Sequence, residues 1–217
     1  MKQFAVIGLG RFGTSVAITL SKMGYEVLAL DSDEERVNEI IEEVTHGVQI
    51  DALDDHALKA VGIREFDVVV VSIGQDVQAS ILVTVMLKEM GVKNVVAKAQ
   101  NALHGKVLER VGADKVVFPE RDMGVKVAHA LVSKNIMEQI SLSPEYSLVE
   151  MLAPSQFVNK TLEQSGARNK YGVSILAIRR GEEMIISPGA SQMIKEGDVL
   201  IVIGRAEKLQ HFETVEI

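Results

Sequence analysis

Short apolar runs recur along the first half of the chain, and each is followed by a stretch with helical spacing. The run Asp67–Val71 is almost entirely valine, which is typical of a parallel strand buried on both faces. Glycine or an acidic residue closes most of these runs, as expected at strand ends. Six strands are predicted, over Gln3–Ile7, Val27–Leu30, Gly47–Ile50, Asp67–Val71, Asn94–Lys98 and Lys115–Phe118.

Between the strands, apolar residues recur at the spacing of an amphipathic helix. The stretch Asp76–Met90 is apolar nearly all round, so it must be covered on more than one side. Ser32 or Asp33 is suited to cap the second helix. This alternation predicts an α/β fold with a Rossmann-like, right-handed, doubly wound parallel sheet. Its helices are predicted over Thr14–Lys22, Asp33–Glu43, Asp54–Val61, Asp76–Met90 and Leu103–Val111.

A further helix is predicted over Met123–Met137, where the apolar residues cover too wide an arc to pack on one sheet face. Two interpretations stay open, a helix buried inside a larger fold and a crossover or dimer helix. Ser141–Pro144 then indicates a linker. We therefore place one domain at residues 1–140 and a second at residues 141–217.

The second domain is predicted to be a small α+β module, because its strands are short and glycine or proline separates them. It is expected to contain a helical turn at Thr161–Ser165 and a last helix at Ala206–Phe212. Its strands are predicted over Ser147–Leu152, Val173–Arg179, Met184–Ser187 and Asp198–Ile203.

The first strand ends in the motif GxGxxG, and a helix follows. In this context Gly8 permits a tight turn, Gly10 lets a phosphate approach the backbone, and Gly13 lets the helix pack on the strand. The helix N-terminus offers unpaired N–H groups to an anion. Asp31 ends the second strand at the spacing at which a carboxylate accepts hydrogen bonds from ribose hydroxyls. The pattern predicts binding of an adenosine-type nucleotide; a glycine-rich turn without a ligand is the alternative.

Composition narrows the choice of partner. A net charge of −7 argues against nucleic acid, and the chain has no cysteine for disulfides or thiolate metal sites. No signal peptide is recognisable, and the apolar runs are far shorter than the ~20 residues of a membrane helix. We expect a cytoplasmic protein whose role at a membrane, if any, depends on a partner.

The chain lacks the sequence marks of a catalytic domain. Its five histidines are scattered, and the motifs HExxH, GxSxG and GxxxxGK[ST] do not occur. We therefore expect no enzyme. Two other classes stay open: a small NAD-dependent oxidoreductase, and an NAD-binding transcriptional redox sensor, which would need a basic DNA-binding helix.

Four segments together resemble the RCK (KTN, TrkA-type) proteins, the cytosolic regulatory subunits of bacterial potassium uptake systems, in particular of the Ktr type. These segments are Phe4–Gly13, Lys98–Asn101, Val116–Met123 and Lys170–Gly172. The resemblance covers the whole chain and implies an RCK N-lobe followed by an RCK C-lobe. It also implies a homo-octameric ring of dimers, docked on an integral-membrane potassium channel subunit at the inner face of the cell membrane. The exchange of ATP for ADP on this ring would gate the channel.

The resemblance implies a nucleotide site in the N-lobe, with NAD or NADH as further candidate ligands. Arg11 would reach the terminal phosphate, and Glu120 would lie at a dimer interface near the phosphates and a divalent cation, Mg²⁺ or Ca²⁺. The alternative for Arg11 is a solvated surface arginine. The alternative for Glu120 is an acidic residue at a helix N-terminus, where the helix dipole favours it. The implied residues are Gly8, Gly10, Arg11, Phe12 and Gly13 in the turn; Asp31, Ser32 and Asp33 at the ribose; Asp51, Ala52, Ile73, Gly74 and Gln75 beside the adenosine; and Lys98, Ala99, Gln100, His104 and Glu120 on the far side.

For the C-lobe, the resemblance implies a cyclic di-AMP site. It would contain Arg168 and the strand residues Ser174, Ile175, Leu176 and Ala177. The chain departs from the expected pattern at Asn169, where alanine is usual in the family. An exposed loop charge is the alternative for Arg168.

Overall fold

The computed structural model describes residues 2–132 and 136–214. The chain separates into two compact units, and the division lies between Asp122 and Met123. The domain boundary that we expect after residue 140 stays a prediction. No helix among the described residues has the length and apolar character needed to cross a bilayer.

The first unit contains six parallel strands in the order β3-β2-β1-β4-β5-β6, which confirms the predicted doubly wound sheet. The strand order reverses between β1 and β4, so the ligand crevice of such a sheet is expected at the carboxyl ends of these two strands. The strands are β1 (Gln3–Ile7), β2 (Glu26–Asp31), β3 (His46–Gln49), β4 (Val68–Val71), β5 (Val95–Lys98) and β6 (Lys115–Val117).

Helices cover both faces of this sheet. Successive strand residues point to opposite faces, and Ala5 and Ile7 join one buried cluster while Val6 joins another. Asp33, Asp54, Asp76 and Asn101 begin helices by accepting backbone N–H bonds, which confirms Asp33 as a cap. The helices are α1 (Arg11–Lys22), α2 (Glu34–Ile40), α3 (Asp55–Ala60), α4 (Val77–Glu89) and α5 (Ala102–Arg110).

The second unit has an antiparallel sheet in the order β10-β9-β11-β8-β7, with helices packed on it. Its core includes the rings of Phe157, Tyr171 and Phe212, which contact one another with centroids 4.9–5.7 Å apart. Its elements are α6 (Pro119–Val132, which crosses the division), β7 (Ile136–Ser141), β8 (Tyr146–Leu152), α7 (Leu162–Ser165), α8 (Ala167–Tyr171), β9 (Ser174–Arg180), β10 (Glu183–Ile186), β11 (Val199–Arg205) and α9 (Ala206–Thr214).

The predicted helix over Met123–Met137 is wrong at its end. Ile136 and Met137 belong to strand β7, because backbone pairing with β8 uses this segment. The predicted linker at Ser141–Pro144 is instead the β7–β8 hairpin, in which the N–H groups of Leu142 and Ser143 both donate to the Tyr146 carbonyl. Helix α6 is not buried within this chain, since Met123, Val125, Val127 and Leu131 are exposed on it. A crossover or dimer helix therefore stays a prediction.

A buried ion pair joins β9 to the turn before β11. Arg180 donates through Nε and Nη2 to the two Asp198 oxygens at 2.9 and 2.8 Å, and the Lys195 N–H adds a third bond at 2.8 Å. Burial raises the pKa of Asp198, but the bonds from Arg180 and Lys195 outweigh it and hold that pKa below its ordinary value of 3.8. The ion pair therefore stabilises the second unit at pH values above 3.8, the ordinary pKa of the carboxyl group. This stabilisation is lost as the pH falls through the lower pKa of Asp198 in the folded state.

We predict that Arg180→Met lowers the free energy of unfolding of the second unit by about 3 kcal/mol at pH 7, because it leaves a buried carboxylate without its cation. Native-state hydrogen exchange of β11 amides measures this difference. The matched control is Arg179→Met, which breaks a half-exposed 3.4 Å pair with Glu150 and should cost less than about 1 kcal/mol. The effect of Arg180→Met should shrink at acid pH as Asp198 is protonated; equal effects of the two variants would contradict the prediction.

Candidate functional site

The turn between β1 and α1 is built around two positions that exclude any side chain. Gly8 has φ +93°, and a Cβ there would lie 3.0 Å from the Ser72 carbonyl carbon. A Cβ on Gly13 would lie 1.9 Å from the Gly8 carbonyl oxygen. Gly10 is different, since its Cβ would meet no atom within 4 Å. The turn is thus tightly packed at Gly8 and Gly13 and open at Gly10, which leaves room for a ligand to reach the backbone.

Helix α1 begins at this turn with features that suit an anion. Gly10 is its N-cap and makes no side-chain cap bond, and no acidic residue lies in the first turn. The first N–H groups of a helix have no intrahelical partner and carry a partial positive charge. Arg11, the first helical residue, is exposed beside them. This end of α1 can therefore bind phosphate.

Asp31 ties the end of β2 to the glycine turn. Its side chain is buried, and its oxygens accept the N–H of Leu9 at 2.6 Å and of Asp33 at 2.9 Å. Arg36 lies 3.6 Å from Asp31 and 3.4 Å from the Asp33 carboxylate. The carboxylate is thus held in place where β2 ends. The sequence reasoning missed Arg36, although its place one turn into α2 was a usable signal.

The far side of the crevice gathers residues from the carboxyl ends of four strands. The Lys98 ammonium lies 2.6 Å from Glu120 Oε1 and 5.8 Å from the centre of the Phe12 ring. A Cβ on Gly74 would lie 3.5 Å from the same ammonium. The hydrogen bond from Lys98 holds the pKa of Glu120 below its ordinary value. Residues at or just after the carboxyl ends of β1, β4, β5 and β6 thus meet at one place.

His104 is buried although it lies on a helix. Its Nδ1 accepts the Gln100 N–H at 3.3 Å, and burial lowers the pKa of the ring, which favours its neutral form. Two polar atoms among the described residues are buried without a hydrogen-bond partner near these turns, His104 Nε2 and Ser72 Oγ. Ser72 follows β4, and the sequence reasoning missed it because serine at a strand end is common.

The remaining predicted residues also follow strand ends. Asp51 and Ala52 follow β3, which ends at Gln49. The Ile50 N–H donates to the Asp31 carbonyl, so this turn lies beside the end of β2. Ser32 and Gln75 are exposed, whereas Ala99 is buried behind Lys98. Among the described residues, no group of three or more His, Asp or Glu could hold a metal ion.

The second unit has a pocket of its own, of about 330 Å³. Among the residues predicted for the second unit, Arg168, Ser174 and Ile175 line this pocket, whereas Leu176 and Ala177 do not. Arg168 belongs to α8 and is exposed, so it is not in a loop. Tyr171 is buried at the end of α8, where Gly172 has φ +71°. The full lining is Leu162, Glu163, Gly166, Ala167, Arg168, Asn169, Val173, Ser174, Ile175, Pro188 and Ala190.

Comparisons with known proteins agree with the division of the chain into two compact units. Residues 4–119 match the TrkA-N domain, and residues 147–215 match the TrkA-C domain. The chain is 50% identical to the Ktr system potassium uptake protein C of Bacillus subtilis, over 98% of this chain and 96% of that protein. It is 46% identical to the Ktr system potassium uptake protein A of the same organism, over the same shares. Both relatives are potassium uptake proteins, which confirms the expectation that the chain is no enzyme.

Solved structures agree with the fold. The GsuK RCK domain superposes with a TM-score of 0.67 at 16% identity, over 98% of this chain and 47% of that longer chain. The GsuK channel bound to NAD gives a TM-score of 0.53 at 24% identity, over 98% and 38%. The sequence matches over both domains decide the assignment, and the chain belongs to the TrkA-type (RCK) family that includes the Ktr potassium uptake proteins.

Proposed function

We propose that the chain is a nucleotide-sensing regulatory subunit that gates a membrane potassium channel or transporter, with ATP and ADP as the opposing ligands. The observation that carries this proposal is the meeting of the glycine turn, Asp31, Lys98 and Glu120 at the carboxyl ends of the parallel strands. These groups can hold a ribose at one end of the crevice and phosphates at the other.

Gating requires the two ligands to differ in their contacts, because a ligand with equal affinity for both states shifts no equilibrium. ATP and ADP differ by one phosphate, and Arg11 is a long, exposed cation beside the phosphate-binding turn. Its guanidinium is suited to bidentate contact with that phosphate. NAD and NADH have the same adenosine half and are alternative ligands.

Glu120 supports a place for a divalent cation. It is exposed at the first turn of α6, and a carboxylate beside phosphates is repelled unless a cation lies between them. A bound Mg²⁺ or Ca²⁺ would neutralise that charge with hard oxygen ligands. Because Glu120 alone is too few ligands, the others would be phosphate oxygens, water and Glu120 of a second copy.

Self-association is supported by the apolar side chains of α6. Met123, Val125, Val127 and Leu131 are between 49% and 83% exposed, which is costly in an isolated chain. We propose that the subunits form dimers within an octameric ring, peripheral to the inner face of the cell membrane through the integral-membrane channel subunit.

The pocket of the second unit supports a second ligand, cyclic di-AMP. Arg168 offers a cation for a phosphate, and Leu162, Ile175 and Pro188 offer apolar walls for a base. The pocket volume is at the lower end for small-molecule sites, roughly 300–1,000 Å³. One pocket therefore suits half of a symmetric dinucleotide, and two copies around a two-fold axis would bind the whole.

The first test replaces the proposed phosphate sensor. Arg11→Ala should weaken ATP binding by about tenfold or more, the usual worth of a charge-assisted bond, and ADP binding much less. Calorimetric titration of ATP, ADP, NAD and NADH into the intact protein measures this and identifies the preferred nucleotide. Lys22→Ala, at the other end of α1, is the control. Equal losses for ATP and ADP would remove Arg11 from sensing.

A second test concerns the cation. Glu120→Gln should abolish the dependence of ATP binding on Mg²⁺ or Ca²⁺ while the nucleotide still binds, because the repulsion is gone. Asp122→Asn removes an acidic charge from the same helical turn and should leave the dependence unchanged. If chelation changes neither affinity nor assembly of the unmodified protein, the cation role is wrong.

A third test concerns the second unit. A fragment of residues 136–217 keeps β7 paired to β8 and should dimerise and bind cyclic di-AMP without the first unit. Arg168→Ala should remove this binding and leave dimerisation intact, whereas Lys170→Ala, a neighbouring cation outside the pocket lining, should change neither. Absence of binding by the folded fragment would refute the second site.

A further inference from the structure

The ammonium group of Lys98 occupies the middle of the crevice. It lies 2.6 Å from Glu120 Oε1, near the Phe12 ring that follows the glycine turn, and beside Gly74, the residue that follows Ile73 after β4. Its side chain is only 13% exposed, whereas that of Glu120 is 69% exposed. The lysine stem is therefore packed among the turns, and its charged end faces both the Phe12 ring after the glycine turn and the start of α6.

The bond between Lys98 and Glu120 is easily exchanged. An ion pair with one partner in water contributes little to stability, so a stronger anion nearby can replace the carboxylate. The terminal phosphate of a nucleoside triphosphate carries more charge than one carboxylate. The flexible four-carbon stem of lysine allows its ammonium to turn toward such a group without backbone movement.

We propose that Lys98 changes partner when a triphosphate binds: it leaves Glu120 for the terminal phosphate and so frees Glu120 for a divalent cation. This inference rests on the proposed nucleotide function and adds the link between phosphate number and the cation.

The consequence follows from the charges. Once Lys98 has left, Glu120 is an uncompensated carboxylate close to phosphates, and like charges at that range require a cation between them. ADP lacks the terminal phosphate, so Lys98 stays on Glu120 and the cation is not needed. Binding of the cation thus depends on whether ATP or ADP occupies the site.

The experiment compares the cation dependence of ATP and ADP binding in the intact protein and in Lys98→Met. Calorimetric titrations are made in Mg²⁺ and in chelator. Magnesium also binds free nucleotide, but that equilibrium is the same for every variant, so differences between proteins belong to the protein. In the unmodified protein, Mg²⁺ should strengthen ATP binding about tenfold more than ADP binding, a usual size of coupling between two sites.

In Lys98→Met, Glu120 is free with either nucleotide, so the two cation dependences should agree within about twofold. Lys98→Arg keeps a cation and should restore most of the difference. The control is Lys59→Met, which breaks a lysine–carboxylate pair of the same 2.6 Å length on α3 and should behave as the unmodified protein does.

The outcomes separate the two proposals. If the unmodified protein binds neither ATP nor ADP, the proposed function is wrong and the exchange with it. If both bind but Lys98→Met weakens them equally and keeps the unmodified cation dependence, the exchange alone is overturned. Loss of the difference in Lys98→Met, restored in Lys98→Arg, supports it.

Discussion

The close approach of helix α1 to the end of β1 is the constraint on which the first unit depends. A Cβ on Gly13 would lie 1.9 Å from the Gly8 carbonyl oxygen, so any substitution there must push the helix away from the strand. That movement would carry the Leu9 N–H away from Asp31, because the bond between them spans the same turn. The two ends of the proposed nucleotide site therefore depend on one packing contact.

Parallel topology explains why residues distant in the chain meet at this crevice. Each strand of the first sheet points the same way, so every following turn lies at the same edge. Phe12, Gly74, Lys98 and Glu120 lie at or just after four such strand ends, and Lys98 contacts or approaches the other three. A regulator needs no catalytic group at this place, only contacts that depend on the ligand's charge.

The second unit is stabilised independently. Its core contains three mutually packed rings, and the buried pair of Arg180 with Asp198 fixes the start of β11. Its pocket lies at α7, α8 and the start of β9, with all of its lining residues inside this unit. The ligand proposed for this pocket would therefore be held by residues of the second unit alone.

The sequence by itself determined the parallel sheet, the glycine turn and Asp31, because strand periodicity and turn chemistry are local properties. The sequence also placed the candidate residues at strand ends, since the predicted bounds of each strand show which residues follow it. Tertiary structure decided the rest. Ile136 and Met137 became a strand because β8 was available to pair with them, although their spacing also fits a helix. The burial of His104, the position of Arg36 beside Asp31 and the bond between Lys98 and Glu120 depend on contacts between segments distant in the chain, which no local pattern records.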